Sequence, residues 1–554
     1  MINFLNKKLN AYIVLAAIIL IGVILRFYQL GENPPSLDWD EASIGYNAYS
    51  ILKTGADEYG NLLPIVFRSF DDYKPPVYIY LTATSVALFG LSEFAVRFPA
   101  ALIGIAAIVV VYFLVKEILL NWDKNKRELI ALTSAFFMAI SPWHLQFSRA
   151  AFEGNVGMFF LILSLLFFFK GLKNKYFYLP FAFSFVLSIY SYHSFKLINP
   201  VLLLILLNLF NKQLIKQKIA VVISLIIIVI LSAAIYFSFF SSTGAGARLS
   251  MVTVFSDPEL QMKSAINVEN AKKSDDLIGQ IINNRRFIFI PSIIKGYFDH
   301  FNFDFLFVHG DGGVQHHAYN MGMLYLWDFP FVILGIIFLL KKIDRRILLL
   351  IILFLLAPIP AAIATGTPHP VRAIAMIPGF QIFSSVGFIL ILSMIFQKKY
   401  KPVGIIIVFL IIAALALNIK YYLESYYVTT PIKYGYFWQY GYKEALAYAK
   451  ENEGKFNNII MTYEYDQPYI YYLFYNKIDP GWYQKNWDYN KNGAIDRFKR
   501  VIGKYTFRNI DYSKDVNLQK SLLIGAPKEI PDNAKVVKTI EYLDGKVAFK
   551  IVKT

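Results

Sequence analysis

AYIVLAAIILIGVILRFYQL, residues 11–30, running straight into GENPPSLDWDE, residues 31–41, decides how this chain is read. The first piece is an unbroken apolar run of the length, about 20 residues, that carries a helix across a bilayer. The second ends on Asp38-Trp39-Asp40-Glu41, three carboxylates just outside that span. Packing between membrane helices does not require them, so they are candidates for chemistry at the lipid surface. Lys7 and Lys8 precede the run and no small-residue cleavage site follows it, so the first helix is expected to stay as an anchor.

The same apolar pattern recurs outward from this point. The chain is 554 residues long and 56% hydrophobic, too apolar for a soluble protein. Runs near 10–29, 95–116, 129–145, 153–170, 176–192, 197–211, 218–240, 323–340, 347–364, 372–396 and 402–419 predict about eleven transmembrane helices. Short basic loops at 116–127, 170–175, 212–218, 341–346 and 398–401 fall on every second connection, which places them and the N-terminus in the cytoplasm. That bias accounts for the net charge of +17 without nucleic acid as a partner. With no cysteine, disulfides, thiolate metal sites and cysteine nucleophiles are excluded.

The long, chemically varied segments then share the external face: a loop over 30–94, another over 241–322, and a tail from 420. In the first loop 41–54 and 76–89 read as interfacial helices, the second opening on a proline as a first helical turn permits. The tail alternates a helix-like stretch at 442–451 with strand-like stretches at 458–462, 469–475, 521–524, 535–540 and 546–552. The expected fold is a polytopic all-α membrane protein, domain 1–419, followed by a small extracytoplasmic α/β domain over 420–554. Gly244-Ala245-Gly246 lacks a phosphate-loop lysine and reads as a turn.

Ionisable residues inside membrane spans are costly. Here Arg26, Arg97, Arg149, Glu153, Lys196 and Arg372, with His144, His193 and His369, fall near external helix ends, and the midplane is nearly free of charge. Snorkelling explains any one of these residues. A one-sided basic set suits an anionic lipid headgroup, whereas a transporter or flippase of a lipid-linked substrate, the alternative function, would place its polar site near the midplane.

Leu25-Arg26-Phe27-Tyr28, Asp40-Glu41-Ala42, Gly45-Tyr46-Asn47-Ala48, Tyr73-Lys74-Pro75-Pro76 and Arg97-Phe98-Pro99-Ala100-Ala101, taken together, resemble the N-terminal module of the GT-C glycosyltransferases. The nearest likeness is to protein O-mannosyltransferases and bacterial aminoarabinose transferases. Phe305-Leu306-Phe307, His309-Gly310-Asp311, His316-His317, Gly322-Met323-Leu324-Tyr325, Thr367-Pro368-His369-Pro370-Val371-Arg372 and the tail run 468–475 are similar to segments of bacterial members. Each piece alone is weak, but the ordered set is specific and spans most of the chain. The resemblance implies a GT-C type fold in the plasma membrane. It also implies inverting transfer of a sugar from a polyprenyl-phosphate-linked donor to a hydroxyl of a protein, lipid or surface glycan. Within it, Asp40 of the Asp40-Glu41 pair takes the catalytic role and Lys74 binds the polyprenyl phosphate. Aminoarabinose transferases carry a metal-binding glutamate directly before this lysine; here Tyr73 stands there, with Asp71 and Asp72 upstream.

Such a transfer needs a base at the acceptor and cations at the departing phosphate, which is already a good anion. For the base, Asp40 competes with Asp38 and Glu41, and with a role as helix N-cap; Glu41 is expected to join the catalytic pair by orienting Asp40 or an acceptor group rather than as the base. Lys74 precedes two prolines, which hold its backbone extended; a solvated interface lysine is the competing reading. Arg97 and Arg372, then Arg26 and Arg149, are further phosphate ligands because guanidinium grips phosphate in a bidentate fashion. Asp72, Tyr73, His369, His316 and His317 are candidates for an acceptor, sugar or loop site. No cofactor is demanded; a divalent metal ion is the one candidate, with Asp72, His316 and His317 as ligands. The histidine spacing matches no zinc motif, and hydrogen-bonded loop histidines are the competing reading.

Overall fold

The structure, a computed structural model, describes residues 8–70, 72–240, 253–395, 401–486 and 500–554. Asp71 and the Gly244–Gly246 stretch lie outside the described residues, as does the side chain of Asp72. The chain falls into two compact units. One comprises residues up to 28, 100–148 and 152–423; the other comprises 29–99, 149–151 and 424–554.

In the first unit, all the expected apolar runs fall on helices. Among the described residues of the chain, seven helical stretches are long and apolar enough to cross a membrane. Four expected spans are shorter helices: Lys124–Ile140, Tyr178–Ser191, His193–Leu209 and Asp328–Lys341. Local chemistry trims them. Lys124–Ile140 begins at its cap Asp123 and stops before Ser141-Pro142, since the residue ahead of a proline is pushed out of helical conformation. Asp328–Lys341 starts later than the apolar run because Leu324 instead donates its N–H to the Leu306 carbonyl at 2.7 Å.

Asp328–Lys341 packs along Ile377–Ile395. A methyl added at Gly335 would fall on the Phe383 carbonyl oxygen, and one at Gly387 on that of Phe331, so the two glycines let the backbones touch. Membrane helices associate through such small-residue contacts because lipid supplies no hydrophobic drive between them. Hydroxyls add to this: Ser188 donates to the Gly157 carbonyl at 3.0 Å and Ser224 to that of Tyr178 at 2.9 Å.

The second unit contains both helices expected in the first loop, Trp39–Thr54 and Pro76–Phe89. The first is a core element of its unit, burying nine residues. It packs on Pro76–Phe89 and on Pro468–Tyr475. Residues 29–99 therefore group with the tail, which differs from a division at 419. The strands are β1 (Phe67–Ser69), β2 (Asp72–Lys74), β3 (Asn458–Met461), β4 (Arg500–Ile502), β5 (Tyr505–Phe507), β6 (Ser521–Gly525), β7 (Val536–Glu541) and β8 (Val547–Lys553). β1 and β2 form a hairpin; the rest make a mixed sheet ordered β4-β5-β3-β6-β8-β7, with β3 parallel to both neighbours. Residues 469–475, expected as a strand, are helical. Pro468 starts the helix at a position where its missing N–H costs nothing, and burial of Pro468 through Phe474 outweighs the strand propensity of their aromatics.

Candidate active site

Helix Trp39–Thr54 begins at Asp38, whose backbone is extended and whose Oδ1 accepts the Glu41 N–H at 2.7 Å. Asp38 is thus the N-cap, and the capping reading of Asp40 is corrected. The signal was in the sequence: an aspartate three residues ahead of a glutamate is capping-box spacing. Asp40 sits in the first turn, where the helix dipole favours a carboxylate, with 51% of its side chain exposed.

Lys74 arrives from the other side of the loop. It ends β2, paired opposite Phe67 of β1, and Pro75 and Pro76 hold the chain extended and then open the next helix. This puts Lys74 Nζ 2.9 Å from Asp40 Oδ1, with the lysine side chain 5% exposed. The two residues singled out for base and phosphate ligand are therefore direct partners. Tyr73, opposite Arg68 in the hairpin, is half-buried.

Glu41 and three arginines belong to the scaffold. The Arg97 side chain is fully buried and donates through Nε and NH2 to the two carboxylate oxygens of Glu41, at 2.9 and 2.8 Å. Its remaining N–H groups go to the carbonyls of Leu30, Pro34 and Ser36. Glu41 also accepts the Ala151 N–H at 2.9 Å. Arg97, expected as a phosphate ligand, and Glu41, expected beside Asp40 in the chemistry, are thus engaged with each other and with backbone groups. Arg149, also in the second unit, is buried between Tyr426 and Tyr427; it donates to the Tyr426 hydroxyl at 3.0 Å and to the Asn33 carbonyl at 3.0 Å. In the first unit Arg26 is fully buried and donates to the Ala139 and Met138 carbonyls that end helix Lys124–Ile140, and to His144 Nδ1 at 2.7 Å. Arg372 differs: it is half-exposed and donates to the Thr365 carbonyl at 2.9 Å.

The histidines of the first unit separate into small clusters. His309 Nδ1 lies 2.6 Å from Asp304, and His316 Nδ1 lies 2.7 Å from Asp311. Both ring nitrogens of His317 lie 2.9 Å from carbonyl oxygens, those of Ala318 and Asp311. His300 accepts the His369 N–H at Nε2, so its Nδ1 carries the proton and donates to the Gly296 carbonyl. The His369 ring stacks near His316, centroids 5.0 Å apart, and burial with His316 beside it holds His369 well below the usual histidine range. Among the described residues no three His, Asp or Glu side chains converge as a metal site. Of the expected ligands, His317 is turned to carbonyls, His316 faces Asp311, and the Asp72 side chain lies outside the described residues.

Residues 73–237 match the family model described as dolichyl-phosphate-mannose-protein mannosyltransferase. The crystal structure of ArnT from Cupriavidus metallidurans in the apo state aligns with 99% of this chain and 98% of that one at TM-score 0.53 and 11% identity. Its complex with undecaprenyl phosphate aligns at 0.51 and 12% identity, over 97% of each chain. The fold is ArnT-like. The chain also aligns with the archaeal oligosaccharyltransferase AglB of Archaeoglobus fulgidus, solved with an inhibitory peptide and dolichol-phosphate. There the TM-score is 0.53 at 14% identity, over 85% of this chain and 64% of that one. In sequence, it is 24% identical over 175 residues to YkcB, a mannosyltransferase candidate of Bacillus subtilis. Its matches span about a quarter of the curated relatives' length, 28% and 22%.

One further carboxyl in the first loop is perturbed. Burial, with Glu41 and Asp40 adding repulsion, pushes the Asp38 carboxyl well above the usual aspartate range. Ionising it costs more in the folded than in the unfolded chain, so it lowers stability as pH rises above about 3.9, its unfolded value. Asn keeps the capping oxygen without the charge. The Asp38→Asn protein is therefore expected to unfold at a higher temperature than wild type at pH 8, with the gap closing toward pH 4. A gap independent of pH would contradict this.

Proposed function

We propose that this chain transfers a sugar, with inversion, from a polyprenyl-phosphate-linked donor to a hydroxyl acceptor on the external face of the cell membrane. The observation that carries the reading is the 2.9 Å contact of a half-exposed carboxylate, Asp40, with a buried ammonium, Lys74. In the proposed step Asp40 takes the acceptor's proton as the acceptor oxygen attacks the anomeric carbon. The bond from that carbon to the phosphate oxygen breaks, its electron pair leaves on the phosphate, and Lys74 compensates the charge that develops there. No general acid is needed, because the leaving group is an anion already. The solved complexes of ArnT with undecaprenyl phosphate and of AglB with dolichol-phosphate support a polyprenyl carrier. The basic short loops support a cytoplasmic placement for the opposite end of the bundle and an extracytoplasmic tail over 420–554.

Binding of a labelled polyprenyl phosphate to protein in nanodiscs tests the phosphate half of this reading. A hydrogen bond to a charged group contributes about 1.5–3 kcal/mol, so Lys74→Ala is expected to weaken binding about tenfold or more. Unchanged affinity would remove Lys74 from the donor site.

A further inference from the structure

A second site lies at the end of the first unit where the short basic loops gather. A cleft of about 790 Å³ opens there between helices Lys124–Ile140, Asp328–Lys341 and Ile377–Ile395. Ligand pockets run about 300–1,000 Å³, so the space suits a bound molecule. Its floor is apolar, built from Leu129, Ile130, Phe338, Val386, Ile389 and Leu390. Its rim carries Lys126 from the first helix and Lys342 from just beyond the second. Both lysines are exposed, and neither ammonium has a partner among the described residues. The one rim carboxylate, Asp123, is turned to the start of its own helix, accepting the Asn125 and Lys126 N–H groups at 3.1 and 3.0 Å. Trp122, also on the rim, packs edge-on against Phe338 with centroids 5.6 Å apart. A tryptophan between an apolar floor and a basic rim is the arrangement of a membrane–water boundary.

We propose that this cleft holds a membrane lipid with a net anionic phosphate headgroup, its acyl chain on the apolar floor and its headgroup at Lys126 and Lys342. Two ammonium groups outnumber the one carboxylate and so select for net negative charge, whereas a bare apolar groove would take any lipid. The site is separate from Asp40 and Lys74, and its occupancy does not depend on the transfer reaction.

Trp122 supplies the readout. The full chain is placed in phosphatidylcholine nanodiscs doped with phosphatidylglycerol or phosphatidylcholine carrying brominated acyl chains, which quench a tryptophan they touch. The Trp122 share is the difference between wild type and Trp122→Phe. Near a surface each lysine favours an anionic lipid on the order of fivefold. Brominated phosphatidylglycerol should therefore quench Trp122 at a mole fraction up to about 25-fold lower than brominated phosphatidylcholine. Lys126→Gln with Lys342→Gln should abolish that preference, and since both side chains are exposed the double variant keeps its fold. Equal quenching by the two lipids would mean ordinary boundary lipid only and would overturn the proposal. Absence of quenching, or a preference untouched by the double substitution, would do the same.

Discussion

Asp40→Asn is expected to lower sugar transfer by about 10²–10⁴-fold, the range over which a positioned base contributes to a reaction. The amide keeps the shape and one acceptor oxygen of the carboxylate but cannot take a proton at neutral pH. Because half of the Asp40 side chain is exposed and the cap belongs to Asp38, the helix should be undisturbed. The donor side should respond in the opposite sense. In the resting protein Lys74 is held by Asp40 at 2.9 Å, and a donor phosphate must compete for it. Removing the carboxylate removes one competitor, so polyprenyl phosphate should bind as well as or more tightly than to wild type while kcat falls. Single-turnover transfer and donor binding, measured on the same preparation, separate the two effects. Undiminished transfer would take Asp40 out of the mechanism.

Glu41→Ala should be the most damaging single change to the fold of the second unit, at about 3–5 kcal/mol, the cost of leaving one partner of a buried ion pair alone. Arg97 would keep its carbonyl contacts but lose its counter-charge at a fully buried position. The Ala151 N–H would lose its acceptor as well. Thermal unfolding of Glu41→Ala beside a Glu41→Leu, Arg97→Met double variant gives the discriminating comparison. If the pair is structural, the double variant recovers much of the stability, since apolar replacement of a buried pair is often neutral or better. If the single variant unfolds like wild type and loses only transfer, Glu41 belongs to the chemistry instead.

Much of this molecule can be read from its sequence where the cause is local. Apolar runs locate helices, paired prolines locate the start of Pro76–Phe89, and basic loops mark one end of the bundle. The roles of the arginines were not legible. An arginine at a helix end reads alike whether its guanidinium meets water, a phosphate or backbone carbonyls. The carbonyls that engage Arg26, Arg97 and Arg149 are mostly distant in sequence: Ala139 for the first, Leu30 to Ser36 for the second, Asn33 for the third. Closeness along the chain misled for the histidines in the same way. His309, His316 and His317 are near neighbours in sequence, yet His309 pairs with Asp304 while His316 meets the carboxylate of Asp311 and His317 its backbone carbonyl. The joining of Asp40 with Lys74 came from family resemblance; spacing alone carries no trace of it.

The second unit is assembled from three stretches of chain, and this orders its birth on the ribosome. The hydroxyl of Tyr471 meets the Leu37 carbonyl across 434 residues. Trp39–Thr54, with nine residues destined for burial, is therefore synthesised long before Pro468–Tyr475 exists to cover it. Contacts so remote close slowly, and the uncovered surface is exposed to off-pathway association meanwhile. Maturation of the loop bearing Asp40 must then be a late event, completed only when translation is nearly over. A nascent chain halted before residue 468 would be integrated in the bilayer yet still lack the packing that steadies its acidic loop.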